Sequence, residues 1–137
     1  MRLLLVEDHY LVVQAQRLYL SEAGHQVVGI ASDTSDAVRL AGELHPDLAL
    51  VDVQLAHGSN GIDAARQMLA RHTVRSLFVT SDSEAARTAR DAALGCLQKP
   101  YSADDLLAAV HAAEKILENG RARDCPPRLE IYRDAVV

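Results

Sequence analysis

No apolar run in this chain approaches the roughly 20 residues needed to cross a bilayer, so no membrane association is expected. Positive charge is not in excess either. Lys and Arg number 14 against 19 Asp and Glu, a net charge of −5. That balance argues against a nucleic-acid surface, where binding is dominated by neutralising phosphates. Cysteine is scarce: Cys96 falls inside an expected core strand and Cys125 beside Pro126-Pro127, which favours two reduced thiols over a disulfide. The six histidines are scattered without the spacing of a zinc site. No internal repeat or low-complexity tract is evident. The N-terminus carries one Arg and then begins a strand, unlike a signal peptide, and a cytoplasmic location is expected. At 137 residues the chain fits one domain with a full core.

What is present is an alternation of strand and helix patterns, the signature of a doubly wound α/β fold. Strands are expected at 2–6, 26–30, 48–51, 76–80 and 96–98. Helices are expected at about 10–22, 34–44, 61–71, 83–93 and from Ser102 to Gly120. The first helix has Leu11, Val12, Ala15, Leu18 and Tyr19 on a helical period, with Gly24 as its left-handed cap. Pro46 disfavours helix in the residue before it and so closes the second. The third turns Ile62, Ala65 and Leu69 inward, and the fourth is rich in alanine. The fifth opens with Ser102 as N-cap and Asp105 at the third helical position, then presents Leu106, Val110, Ala113 and Leu117. The unbroken apolar runs, such as Leu48-Ala49-Leu50-Val51, suit strands covered on both faces. Five such strands predict a flavodoxin-like parallel sheet of order 2-1-3-4-5 with helices on both faces.

Four of the strands end in residues suited to divalent-metal or phosphoryl chemistry: Glu7-Asp8, Asp52, Thr80 and Lys99-Pro100. Ligands of open parallel sheets bind outside the carboxyl ends of the strands, so the four would share one crevice. In that strand order the first and third strands are neighbours, roughly 4.8 Å apart. Glu7, Asp8 and Asp52 then crowd like charges that a cation must relieve, and magnesium suits a few carboxylates with water and phosphate oxygens. Thr80 and Lys99 supply a hydroxyl and an ammonium for phosphate oxygens, and Asp52 is a carboxylate able to form an aspartyl-phosphate. Each residue alone has an ordinary reading. Glu7-Asp8 could complement a helix dipole, Asp52 could open a turn, Thr80 could end a strand, and Lys99-Pro100 could be a turn whose proline permits a cis peptide. Their recurrence at four strand ends in one sheet separates them from those readings.

On Leu4-Leu5-Val6-Glu7-Asp8, Pro46-Asp47-Leu48-Ala49-Leu50-Val51-Asp52, Gly61, Thr80 and Lys99-Pro100, the chain resembles the receiver domain of two-component response regulators. The resemblance runs from Met1 to about Gly120 and is nearest in kind to single-domain, chemotaxis-regulator-like members. It implies that Asp52 accepts a phosphoryl group from the phosphohistidine of a sensor histidine kinase or histidine phosphotransfer protein. It implies magnesium held by Asp8, Asp52 and the carbonyl of Gln54, with Glu7 acting through water. Thr80 and Lys99 would engage the phosphoryl oxygens, Thr80 shifting inward. Such a protein catalyses its own phosphorylation and slow hydrolysis of its aspartyl-phosphate; it is no conventional turnover enzyme.

The chain departs from the family pattern at Cys96, where Phe or Tyr usually stands three residues before the Lys, and in a 53–60 loop one residue longer than most, with no Pro after Leu55. Gln54 and Asp82 fall where family members tune hydrolysis. Residues 121–137 are too short for a DNA-binding module, so a protein target or phosphorelay is the expected output, with a phosphorylation-independent adaptor as the alternative. Residues 129–132 alternate as a strand does, and are expected to add to a sheet edge or form a homodimer arm, against the alternative of a disordered tail. A flavodoxin-like electron carrier is disfavoured because Glu7-Asp8-His9-Tyr10 repels a phosphate. A phosphohydrolase of the Asp-x-Asp-x-Thr type would need a carboxylate where Gln54 stands.

Overall fold

The structure, a computed structural model, describes residues 1–122 and 124–132. Of the tail expected at 121–137, Arg123 and 133–137 lie outside the described residues. The elements follow in the order β1 (Arg2–Val6), α1 (Tyr10–Glu22), β2 (Gln26–Ala31), α2 (Thr34–Leu44), β3 (Leu48–Val51), α3 (Gly61–His72), β4 (Ser76–Thr80), α4 (Ser83–Arg87), β5 (Gly95–Gln98), α5 (Ala103–Asn119) and β6 (Leu129–Ile131). A 3₁₀ turn at Ala56–Gly58 interrupts the loop before α3. Among the described residues no helix is long and apolar enough to cross a membrane.

The sheet has the order β2-β1-β3-β4-β5-β6. From β1 the chain steps one way to β2, then back across β1 to β3, β4 and β5, all parallel. Right-handed crossovers make that reversal put α1 on one face and the helices that follow on the other. Helix α1 packs with α5, and α2 with α3. Between these layers β1, β3 and β4 are buried from end to end but for Arg2, which is why they read as continuous apolar runs.

The sheet differs from the expected five parallel strands by β6, antiparallel to β5 with Leu97 opposite Leu129 and Gly95 opposite Ile131. Glycine at position 95 makes that approach feasible, because a Cβ there would collide with the Glu130 carbonyl.

Local signals account for most helix ends. Asp33 accepts from the Asp36 amide at 2.8 Å and Asn60 from the Ile62 amide at 2.7 Å. Ser102 and Asp105 form a reciprocal capping box, and Gly120, with φ 78°, closes α5. Helix α4 is shorter than its alanine periodicity predicts. The Thr88 hydroxyl donates to the Ala85 carbonyl at 2.6 Å, and the chain continues in i→i+3 turns through Ala92, a case of a side chain competing for a backbone acceptor.

The inward face of α1 also differs from expectation. Val13, Gln16 and Leu20 are buried, while Leu11 and Leu18 are 75% and 55% exposed. Apart from a polar strip of Gln14, Arg17 and Ser21, this helix carries apolar residues around most of its circumference, so periodicity alone could not pick its core face. In α5, Leu117 likewise turns outward and Ile116 inward.

Candidate functional site

The site forms where β1, β3, β4 and β5 end. The register Val6 to Val51, with the Asp52 amide donating to the Val6 carbonyl at 2.9 Å, sets Glu7 beside Asp52. The Lys99 amide donates to the Thr80 carbonyl at 3.0 Å, fixing the end of β5 against β4. From there the Lys99 side chain crosses β4, and its Nζ stands 2.8 Å from Asp52 Oδ2 and 2.9 Å from Glu7 Oε1. The Lys99–Pro100 peptide is cis.

Each carboxylate oxygen in this cluster has a defined partner. Asp52 Oδ1 accepts from the Gln54 amide at 3.1 Å, and Glu7 Oε2 accepts from the His9 amide at 3.3 Å. Glu7 is buried, and its side chain is only 4% exposed against 24% for Lys99. Burial pushes the Glu7 carboxyl above its usual range, the Asp52 charge adds to that, and the Lys99 ammonium opposes it. Burial alone would lower Lys99, but the hydrogen bonds to Asp52 and Glu7 outweigh it and hold the ammonium above its ordinary value. The cluster is therefore a buried pair of negative groups bridged by one cation.

Gly61 packs so tightly on the Asp52 carbonyl that a Cβ could not fit, and its amide donates to the Val53 carbonyl at 2.8 Å. The start of α3 is thereby pinned against the back of Asp52. Thr80 is buried at the end of β4, between the strands that lead to Asp52 and Lys99. Its hydroxyl accepts from the Asp82 amide at 3.2 Å. Asp82, whose position was expected to bear on hydrolysis, caps α4 through the Ala85 amide at 3.1 Å. Asp8 and Gln54 are exposed at the mouth, and Gln54 bridges to Asn60 across the loop.

The structure thus joins Glu7, Asp52 and Lys99 directly, sets Thr80 on the intervening strand, and leaves Asp8 and Gln54 at the rim. Among the described residues no three carboxylate, imidazole or thiol groups converge tightly enough to hold a metal unaided. A donor set of two carboxylates and one backbone carbonyl is still the chemistry that suits magnesium, which retains several waters. That Lys99 already sits between two of the acids shows that this corner accommodates positive charge.

Sequence reasoning missed a second polar contact nearby. Gln16, 3% exposed, donates from Nε2 to the Tyr101 hydroxyl at 3.0 Å and ties α1 to the loop after Lys99. Its only signal was a polar residue spaced with Val13 and Leu20. Beside it an apolar groove of about 570 Å³ is lined by Leu11, Val12, Ala15, Tyr19, Pro100 and Tyr101 among others, and Tyr10, next to Leu11 in the chain, is 71% exposed. A larger hollow of about 780 Å³ near His111, Lys115 and Arg121 holds none of the site residues.

A family model described as the response regulator receiver domain matches residues 3–111. The transcriptional regulatory protein PdtaR of Mycobacterium tuberculosis is 38% identical over 116 residues, 82% of this chain and 56% of that protein. The phyllosphere-induced regulator PhyR of Methylorubrum extorquens is 31% identical over 124 residues, 89% of this chain and 46% of its own length. A crystal structure of a LuxR-family two-component response regulator from Aurantimonas sp. SI85-9A1 is similar with a TM-score of 0.76 at 34% identity, over 91% of this chain and 89% of that one. The chain spans about half the length of the curated relatives it matches.

Proposed function

The chain belongs to the response regulator receiver family, and from that premise we propose that it is phosphorylated on Asp52 by a phosphohistidine donor and signals through a protein partner. The supporting observation is the Lys99 ammonium within 3 Å of both Asp52 and Glu7, groups delivered by three separate strand ends. In the transfer, an Asp52 carboxylate oxygen bonds to phosphorus as the phosphorus–nitrogen bond of the donor breaks, and the departing imidazole takes a proton from solvent. The Gln54 amide and Lys99 hold the two oxygens of Asp52 in fixed directions, so catalysis is positioning and charge stabilisation. Lys99 then pairs with a phosphoryl oxygen, and the Thr80 hydroxyl is free to donate to another. Asp8, Asp52 and the Gln54 carbonyl would hold magnesium, Glu7 joining through water, and the ion would neutralise charge on the transferring group.

The apolar groove between α1 and the Lys99-Pro100-Tyr101 loop, with Tyr10 and Leu11 exposed beside the acids, suits docking of a histidine-bearing helical partner in the cytoplasm. Exposed apolar residues grouped at a functional rim mark such surfaces. Incubating the protein with acetyl phosphate and magnesium should add about 80 Da, one phosphoryl group, and Asp52→Asn should gain nothing. An unmodified parent protein that still binds its target would favour the phosphorylation-independent adaptor, a reading that Cys96 in place of the usual aromatic keeps open.

A further inference from the structure

The strand β6 covers the outer edge of β5 and is fastened at several points. The Gln98 amide donates to the Arg128 carbonyl at 3.0 Å, and the Tyr132 amide to the Leu94 carbonyl at 2.9 Å. Both carboxylate oxygens of Glu130 accept from Arg87 Nε, at 2.8 and 3.0 Å, which ties β6 to α4. Tyr132, 3% exposed, is inserted into the core. Its ring occupies the neighbourhood of Cys96, whose thiol lies against both the Tyr132 hydroxyl and the backbone of Thr80.

Two chains of contact therefore connect the phosphoryl-acceptor cluster to this strand. One passes from Thr80 through Cys96 to Tyr132. The other passes from the Thr80 hydroxyl to the Asp82 amide, from the Asp82 carboxylate to the start of α4, and from Arg87 of α4 to Glu130. The closed arrangement carries a built-in penalty, because the buried Tyr132 hydroxyl finds no hydrogen-bond acceptor of adequate geometry among the described residues. A strand of three residues joined to the rest by a connection most of whose described residues are exposed opens more readily than the core strands.

We propose that residues 129–132 form a strap that closes the β5 edge while Asp52 is unmodified and lifts when Asp52 carries a phosphoryl group. The inference rests on the phosphorylation reading given above. A phosphoryl group adds roughly −1.5 to −2 charges at a point where the Thr80 hydroxyl is a nearby donor. Drawing the Thr80 side chain inward to the new anion carries its oxygen away from the Asp82 amide and disturbs both routes at their shared origin. In this chain, with a thiol at position 96, the aromatic ring that senses the change enters from the far end of the sequence.

Cys96 offers the readout. Its thiol is buried, and burial pushes it up to about 11, so it reacts slowly while the strand stays closed. Cys125 is exposed and can be silenced as Cys125→Ser. In that full-length background, alkylation of Cys96 by iodoacetamide is followed by intact mass, with and without acetyl phosphate and magnesium. In forming the adduct, the acyl oxygen–phosphorus bond of acetyl phosphate breaks, acetate leaves, and an Asp52 oxygen–phosphorus bond forms. Molecules carrying the phosphoryl mass should alkylate about tenfold faster, within the usual range of coupling between sites. Tyr132→Ala without phosphorylation should label as fast as the phosphorylated parent, and the milder Glu130→Gln should show a smaller acceleration.

Phosphoryl mass without faster alkylation overturns the strap and leaves the phosphorylation reading intact. Absence of the phosphoryl mass overturns both. Faster alkylation accompanied by equally faster amide exchange in β1 reports general unfolding and also overturns the strap.

Discussion

At one edge of the sheet β2 runs with Gln26 and Ile30 turned to solvent and, among the described residues, no strand beyond it; at the other edge β5 is covered by β6 and by the ring of Tyr132. Each edge strand carries one glycine, and the two serve different ends. A Cβ at Gly29 would meet the tips of Leu44 and Leu4, at 2.8 and 3.2 Å, whereas one at Gly95 would strike backbone of β6. The first glycine leaves room for flexible side chains beneath α2; the second permits a strand to lie alongside. Exposed edges invite pairing with other chains. Here the closed edge is the one that leads into Lys99, while β2 gives the cluster only a backbone contact, the Ala31 carbonyl accepting from the Glu7 amide at 2.9 Å. Closure follows the chemistry.

That contrast can be broken most forcefully at Lys99. Lys99→Ala strands Glu7 and Asp52 as partly buried like charges and should cost about 3 kcal/mol by urea unfolding, with millimolar magnesium restoring part of the loss. Ile30→Ala on β2, 38% exposed in the parent, should cost about 1 kcal/mol or less. Equal losses at the two positions would remove the distinction.

Next in size is the pair of glycines. Gly95→Ala should cost about 2 kcal/mol and should abolish amide-exchange protection at Tyr132, since β6 must move away. Gly29→Ala should cost less than about 1 kcal/mol, because leucine tips can give way.

A pH series sharpens the contrast further. The Glu7 carboxyl is raised by burial above its ordinary 4.5, despite the opposing Lys99 ammonium. Such a group contributes stability in full below its unfolded value and loses it as pH rises through the higher folded value. Glu7→Gln removes that titration, so the variant should gain stability relative to the parent as pH rises from about 4.5 toward neutrality. Parallel stability curves would show that Glu7 titrates alike in both states. Smallest is Tyr132→Phe, which deletes a buried hydroxyl that has no acceptor among the described residues. Its thermal midpoint should match or slightly exceed that of the parent, a gain of at most about 1 kcal/mol.

The strand ends were readable because sheet geometry converts a local pattern into a place. An apolar run followed by Asp52, or by Lys99-Pro100, locates a side chain at the carboxyl edge without knowledge of any distant contact. Helix ends were readable wherever a cap lay next to them, as with Ser102 and Asp105. What escaped was either ambiguous locally or decided at long range. Helix α1 spreads apolar residues around most of its circumference, so its buried face depends on α5 and β2. The length of α4 turned on one hydroxyl, that of Thr88. The alternation at Leu129 and Ile131 announced a strand but not its neighbour, which Gly95 and Arg87 determine from more than thirty positions away. Cys96 looked like a missing aromatic in the sequence; in the fold, Tyr132 stands beside it.

Lys99 also governs how the protein endures chelation. Because an ammonium already spans the two inner acids, a chelator should leave the fold standing, and a divalent ion bound as proposed would enter by exchange, one cation yielding ground to another. The apparent affinity for such an ion would then follow the freedom of a lysine side chain as much as the number of oxygens around the ion.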